Sequence, residues 1–440
     1  MSYIQGEGRN QGTLFPVVLD DLIAADHVCR VLDAFVAGLS MAELGFERAE
    51  AAGTGRPGYD PRDLLKLYLY GYLHQLRSSR RLEAECRRNV ELMWLLGRLY
   101  PDHKSIAEFR RMHRDAVTNA GAELVRFARR CGLIRGEWIV IDGSKFRAVA
   151  NGDSVRDRDA LRHYLDGMEQ ADVEQQATID PSAVQAAIEK LRQHPEPEVG
   201  FMRISGGISP AYNVQTAVDA EHALIVTHAV TLDAADHRCL LPMAQAASLA
   251  LDNPGTLNVV ADTGYSNGEH ASRCEEIGIV THVPAKRSVN PQGLFDRTAF
   301  IYQAESDCLI CPEGKTLTRK QLNRPMRSVR YEAAVKDCRP CPSRSLCTKS
   351  VLRVVARSID DDALNRMNER ATPAAMRLRR TTVEHPFGTI KYRIFGHPRL
   401  LLRGLAGAQT EMSIAIMAYN FKRIVKILGA TRLTQALAPA

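Results

Sequence analysis

Nowhere does the chain approach the run of roughly 18 apolar residues that a helix needs to cross a bilayer, so no membrane span is expected. Its opening residues, MSYIQGEGRNQGTLF, lack both an apolar core and a cleavage pattern, which argues against a secretory signal. Ten cysteines in a chain without export features are expected to be thiols or metal ligands rather than a disulfide scaffold. No internal repeat is found. These absences point to a soluble, cytoplasmic protein. Positive charge is also scarce at the start, where residues 1–50 hold three Lys/Arg against eight Asp/Glu.

The basic excess lies further along. Residues 51–135 hold 17 Lys/Arg against nine Asp/Glu, and residues 311–403 hold 21 against eight, so the second region alone exceeds the whole-chain net charge of +7. Separate basic regions in a chain of pI near 8.9 suit a polyanionic partner. With 440 residues, 45% of them hydrophobic, the chain can bury one large core or two to three domains.

Helical spacing of apolar positions marks DLIAADHVCRVLDAFVAGL within residues 15–50. AAGTGRPGYDP then breaks the pattern with Gly and Pro. Asp60 as N-cap and Pro61 in the first helical position introduce the apolar helix DLLKLYLYGYLHQL. RRLEAECRRNVELMWLLG reads as one further helix, and PDHKSIAEFRRMH as a turn into another, with Ser105 and Glu108 forming a capping box. This all-α, arginine-studded block, residues 1–135, is expected to dock on duplex DNA.

From residue 136 the period changes. WIVID is a short β-branched strand, AYNVQTAVD and ALIVTHAVTL form a hairpin about AEH, and LNVVAD and GIVTHVP are further strands. Helices are expected over about 237–251 and at NGEHASRCEEIG. The order β-β-β-α-β-α-β, with a later helix, is that of an α/β, ribonuclease H-like fold with a mixed sheet, in which the first and fourth strands are neighbours. Residues 136–400 would form this catalytic domain, interrupted by a helical insertion at 152–205 and a cysteine-rich insertion at 286–373. Residues 401–440 would add a C-terminal helix. Neighbouring first and fourth strands would bring together Asp142 and Asp262, which lie 120 positions apart in the chain.

TTVEHPFGTIK, residues 381–391, offers a third acid. As a helix it sets Glu384 and Lys391 two turns apart on one face, which Arg380, four residues before Glu384, completes. A carboxylate between two cations, downstream of two strand-end aspartates, suits a metal and phosphate site. Phosphoryl transfer needs in-line geometry and neutralisation of the attacking and leaving oxygens, which two divalent ions about 4 Å apart supply. Mg²⁺, with Mn²⁺ as the alternative, favours oxygen ligands. Asp142 is expected to bridge the two ions, Asp262 to bind one and Glu384 the other. Tyr212, Asn213 and Gln215 are expected to line the site without a catalytic part, Asp236 to cap a helix, and His385 to be structural.

Around IDGSKFRA, ADTGYSN and RTTVEHPFGTIKYRIFGH the chain resembles the DDE transposases of bacterial insertion sequences. YDPRDLLKLYLYGYL and PDHKSIAEFR are similar to the N-terminal domain of these enzymes, which is implicated in binding the element's terminal repeats. The resemblance covers roughly residues 45–425. The related enzymes carry a Tyr-x2-Arg-x3-Glu-x6-Lys signature. Arg380, Glu384 and Lys391 match it, whereas Arg377 stands at the tyrosine position, so that tyrosine's role is not carried over. The resemblance implies cleavage of double-stranded DNA at terminal inverted repeats and joining of the 3′-hydroxyl ends to target DNA. It also implies a homodimer on DNA, with Arg380 and Lys391 on phosphate; a cation at Arg377 could touch phosphate as well. Two alternatives remain open: a metal-dependent nuclease without joining activity, and a transposon-derived DNA-binding protein lacking catalysis.

Cys308-x2-Cys311 and Cys338-x2-Cys341-x5-Cys347 place five cysteines within 40 positions. Paired CxxC spacing lets two thiolates reach one tetrahedral ion, so four of the five are expected to hold a structural Zn²⁺ that folds a loop-rich insert. The CPxGK…CxxCxxxxxC pattern of the related transposases implies Cys311, Cys338, Cys341 and Cys347, while the spacing alone also allows Cys308. Cys29, Cys86, Cys131, Cys239 and Cys274, dispersed on helices, read as small core hydrophobes.

Overall fold

WIVIDGSKFR forms one strand, β1 (Trp138–Arg147), longer than the predicted WIVID because its second half also finds a partner. In the computed structural model, which describes residues 18–50, 58–169, 181–252, 255–286 and 293–437, the main sheet grows from both edges of this strand. On one edge lies antiparallel β3 (Gly207–Asp219), in register from Ile139 opposite Asp219 to Arg147 opposite Ala211. β2 (Gly200–Ile204) pairs with the first residues of β3, and β4 (Ile225–Thr231) runs along its other edge. On the far edge of β1, β5 (Leu257–Val260) runs parallel, followed by parallel β6 (Ile279–His282). The first and fourth predicted strands are neighbours, and the ribonuclease H-like order is present. β2 departs from the expectation of a helical insertion at 152–205. It follows the helices Gly152–Glu169 and Pro181–Arg192, and its five residues are too few to show a period.

Alternation along β1 divides its side chains between two faces. Ile139 and Ile141 enter the main core with Leu240 and Met243 of the helix Leu240–Ala250. Val140 instead joins Val260, Ala375 and Val383, the last two from the helix Pro373–Thr389. Asp142, two residues beyond Val140, belongs to that second face.

The N-terminal helices are set by their caps. Asp60 accepts the Arg62 N–H with Pro61 at the helix start, as expected. RRLEAECRRNVELMWLLG is two helices rather than one, Ser79–Cys86 and Val90–Leu95, because Asn89 caps the second by accepting the N–H groups of Glu91 and Leu92. The next cap is Asp102, not Ser105. Asp102 accepts the Lys104 and Ser105 N–H groups and the Ser105 hydroxyl, while Glu108 pairs with Arg111. The first seventeen residues and most of the Gly/Pro break, at 51–57, lie outside the described residues.

The cysteine-rich insertion is not loop-rich. β7 (Ile301–Gln303), β8 (Cys308–Ile310), β9 (Thr316–Asn323), β10 (Ser328–Ala333) and β11 (Val354–Ser358) make an antiparallel sheet. Its small core holds Phe300, Leu309, Leu317, Val329, Tyr331, Ala333 and Val355. Only Leu317 of TLTRKQLN is buried, so most of β9 carries no apolar period to read. Arg327 clasps Asp360 at 2.7 and 2.8 Å, and Arg297 and Arg357 meet buried Asp361, tying this sheet to the helix Asp361–Arg370.

GLAGAQTEMSIAIMAYNFKRIVKIL is apolar almost all round, and the helix it forms, Gly404–Leu428, is buried along most of its length. No helix among the described residues is long and apolar enough to cross a membrane. This one packs on the helices Arg114–Arg130 and Pro61–Leu73 and on β4, so the N-terminal helices, the main sheet and the C-terminal helix share one core. Inside it, Glu411 accepts a bond from Arg77 at 2.7 Å and from the N–H groups of Leu401 and Leu402 at 2.7 and 2.9 Å. Arg77 also donates to the Arg399 carbonyl at 3.0 Å and lies over the Phe395 ring at 4.1 Å. Glu411→Ala leaves the Arg77 charge buried without its counter-ion. A denaturant titration is expected to show a loss of about 3–5 kcal/mol. Glu108→Ala, which removes only an exposed pair, is expected to leave the transition unmoved.

Candidate active site

β1 and β5 pair in parallel from Trp138–Asn258 to Val140–Val260, so the residues two places beyond this paired stretch emerge side by side. Asp142 and Asp262 are those residues. One nitrogen of Arg379, Nη2, donates to Asp142 Oδ1 at 2.9 Å and to Asp262 Oδ2 at 3.1 Å. Asp262 Oδ1 accepts the Gly264 N–H at 2.7 Å, closing a tight turn that leaves Oδ2 facing the site. Burial raises the Asp142 carboxyl above its ordinary range, Arg379 opposes the rise, and the nearby Asp262 charge adds to it.

Arg379 comes from the helix Pro373–Thr389, which starts where Thr372 caps the Ala375 N–H ahead of Pro373 in the first turn. Ala375 and Val383 face the sheet, and Arg379 lies midway between them at four-residue spacing, hence on the same face. Arg377, Arg380 and Glu384 are exposed, and the Glu384 side chain has no hydrogen-bond or ion-pair partner among the described residues. The expected Arg380–Glu384–Lys391 face is interrupted. The α-helix ends at Thr389 and a π turn spans Ile390–Ile394, closed by the Phe395 N–H on the Ile390 carbonyl at 2.9 Å. That turn carries Lys391 Nζ to 5.4 Å from the centre of the Phe146 ring. There burial lowers the Lys391 pKa, Asp142 raises it, and Lys145 lowers it. The structure thus brings together Asp142 and Asp262, sets Lys391 within electrostatic reach of Asp142, and leaves Glu384, Arg380 and Arg377 on the outer side of the helix. Reading four residues back from Glu384 singles out Arg380. Reading the apolar stripe of Ala375 and Val383 would have singled out Arg379.

Asp236 does not cap a helix, because the helix begins at Leu240 after Cys239. Its carboxylate accepts Asn213 Nδ2 and Gln215 Nε2, each at 2.7 Å, and faces Lys145 Nζ at 3.4 Å. Asn213 and Gln215 therefore hold Asp236 on the face of the sheet opposite Asp142. Tyr212 points its hydroxyl to Glu196 at 3.1 Å, and His385 bonds the Tyr419 hydroxyl at 3.1 Å.

The paired carboxylates fit a divalent cation. They present hard oxygen donors that already share one positive group, and that group's Nε–H is buried with no partner among the described residues. The cysteines divide clearly. Cys311, Cys338 and Cys347 pack against the core of the second sheet. The Cys347 thiol is pushed up by burial, eased by Arg353, and pushed up further by the neighbouring Cys338, Cys311 and Cys341. Cys311 Sγ also accepts the Lys315 N–H at 3.3 Å. Cys308 stands apart, buried beside the Ser306 hydroxyl at 3.0 Å. Cys347 thus has three other thiols for neighbours, yet no three of these four sulfurs lie within 4.8 Å of one another. His27, Cys29 and Glu91 do lie that close together. There, however, Tyr70 and Cys29 donate to Glu91, and His27 Nδ1 accepts the Cys29 N–H, which puts the ring proton on Nε2 beside Glu91. That cluster is hydrogen-bonded rather than open to an ion.

Two family models match the chain. Residues 17–112 match a transposase domain (DUF772), and residues 310–425 match a transposase DDE domain. The second match spans Arg379, Glu384, Lys391 and four of the clustered cysteines, while Asp142 and Asp262 precede it. No curated protein matches the chain.

Arg379→Gln removes the cation that competes for both carboxylates. The DNA-free protein is expected to bind Mn²⁺ roughly tenfold more tightly in a titration. Arg380→Gln, on the exposed side of the helix, is expected to leave that affinity unchanged.

Proposed function

We propose that this chain, a DNA transposase of the DDE type by the two transposase domains it carries, cuts at the terminal inverted repeats of a mobile element and joins the freed 3′-hydroxyl ends to target DNA. The meeting of Asp142 and Asp262 at one cation is the observation that supports this reading most. Asp142, Asp262 and Glu384 would hold Mg²⁺ or Mn²⁺, whose charge neutralises the attacking and leaving oxygens of phosphoryl transfer.

The remaining groups position DNA. Lys391, half-buried over Phe146, presents its ammonium to a phosphate oxygen on the Asp142 side. Arg379, once released from the carboxylates, offers a forked guanidinium with a free Nε–H for the same phosphate. Arg377 and Arg380, exposed along the helix, grip the flanking backbone, a contact that positions the duplex without reading its sequence. Glu384, exposed and unpaired on the outer side of the helix, would join them as the third carboxylate only after this stretch of helix turns it inward on DNA. The arginines of residues 51–135 supply a basic surface for the element's ends, and two ends held together call for a homodimer on DNA. Cys311, Cys338, Cys341 and Cys347 would hold a structural Zn²⁺ in the second sheet, with Cys308 outside the set.

The test uses a labelled duplex of the element's own end, with and without Mg²⁺. Wild type is expected to give joined product, and Glu384→Gln and Asp142→Asn are each expected to reduce it by roughly a hundredfold or more. Cleavage without joining would favour a hydrolytic nuclease. Tight binding without product from any of the proteins would favour a DNA-binding protein that has lost catalysis. For the cysteines, metal analysis of purified protein is expected to find zinc retained in Cys308→Ser and lost in Cys338→Ser. Zinc-free wild type that stays folded in strong chelator would rule the site out.

A further inference from the structure

Asp262 owes its place to a turn, and the turn is held from the opposite face of the sheet. Residues Thr263–Tyr265 form one tight helical turn after β5, with the Tyr265 N–H on the Asp262 carbonyl at 3.1 Å. Tyr265 is fully buried and donates its hydroxyl to Gln215 Oε1. Gln215 in turn donates Nε2 to Asp236 Oδ1 at 2.7 Å. In register, Gly143 lies opposite Gln215 and Lys145 opposite Asn213, so these four positions share one face of β1 and β3. Asp142, between Gly143 and Ile141, points to the other face and meets Arg379 there.

The space between the two faces is kept open at a glycine. A Cβ on Gly143 would lie 2.3 Å from Gln215 Nε2 and 2.8 Å from Asp236 Oδ1. The direction of the chain of bonds follows from charge. A carboxylate can only accept, so Asp236 takes the amide nitrogen of Gln215 and leaves Oε1 for Tyr265, whose hydroxyl must then donate. Asn213 Nδ2 at 2.7 Å holds the same Asp236 oxygen, and Lys145 balances the charge at 3.4 Å. With its hydroxyl fixed, the Tyr265 ring sets the turn that aims Asp262 Oδ2 at the site.

We propose that Asp236 is a positioning residue for the metal site, acting through Gln215 and Tyr265 to fix the carboxylate of Asp262. The proposal rests on the reading of Asp142 and Asp262 as the ion-binding pair. A charged partner one bond removed from a ligand keeps that ligand oriented and basic, and its loss weakens ion binding without touching the ion.

The experiment is a Mn²⁺ titration of the full-length protein without DNA, following free Mn²⁺ by electron paramagnetic resonance. It compares wild type, Asp142→Asn, Asp236→Asn, Tyr265→Phe and the double variant Asp236→Asn/Tyr265→Phe, with thermal melting as a check on folding. Asp236→Asn and Tyr265→Phe are each expected to weaken binding by about tenfold, and the double variant to be no weaker than either, because both break one chain of bonds. Loss of binding in Asp142→Asn with wild-type affinity in the other variants would overturn the proposal and spare the site. So would single effects that simply add. A loss in Asp236→Asn as large as in Asp142→Asn, with Tyr265→Phe unaffected, would also overturn it by making Asp236 a ligand. Unchanged binding in Asp142→Asn would instead defeat the underlying reading of the site. Should Asp236→Asn fail to fold, Tyr265→Phe, which lacks a single oxygen, decides the matter alone.

Discussion

Two like charges are held against one another where the pairing of β1 with β5 ends, and much of the molecule is arranged around that contact. Carboxylates on either side of one guanidinium nitrogen repel by about 3 kcal/mol at the effective dielectric of a partly buried site. Burial adds to the cost at Asp142, whose acidity is weakened accordingly. A site of this kind is stable only while a cation sits between its acids. Arg379 fills that role in the protein alone, and a divalent ion is the chemical alternative for the same pair of oxygens.

What holds the carboxylates in place is the packing on both faces of the sheet. On one face, the helix Pro373–Thr389 seats Ala375 and Val383 against Val140 and Val260 and thereby inserts Arg379 between the acids. On the other, Asp236, Asn213 and Gln215 form a polar layer under Gly143 and reach the Asp262 turn through Tyr265. The N-terminal helices join the same body through the C-terminal helix, where Arg77 and Glu411 meet inside the shared core. The N-terminal helices are therefore packed in one core with the strands that carry the carboxylates.

Local patterns were legible where one rule governed the outcome. Asp60 before Pro61, the β-branched WIVID and LNVVAD, and the hairpin at AYNVQTAVD each follow from capping or alternation alone. Where two rules compete, the sequence misleads. Ser105 and Asp102 are both good caps, and the aspartate wins because its carboxylate accepts two N–H groups and a hydroxyl at once. Asp236 looks like a cap three residues ahead of an apolar helix, yet two amides and a lysine from β1 and β3 claim it. The antiparallel sheet of the cysteine-rich insertion hides behind strands such as β9, in which only Leu317 is buried and no alternation shows.

The sequence by itself determined the order of the main-sheet strands other than β2, the three acids worth considering, the basic regions and the cysteine spacing, since each depends on residue type and short-range period. Only the tertiary structure decided that Arg379 rather than Arg380 meets the carboxylates, that Lys391 turns inward after a π turn, and that Cys308 stands apart from the other four clustered cysteines. Each of those outcomes turns on a small shift of phase. One residue along a helix is a rotation of about 100°, and one along a strand is the opposite face. Such a shift is settled by which apolar side chains find partners across the fold, and those partners lie far away in the chain.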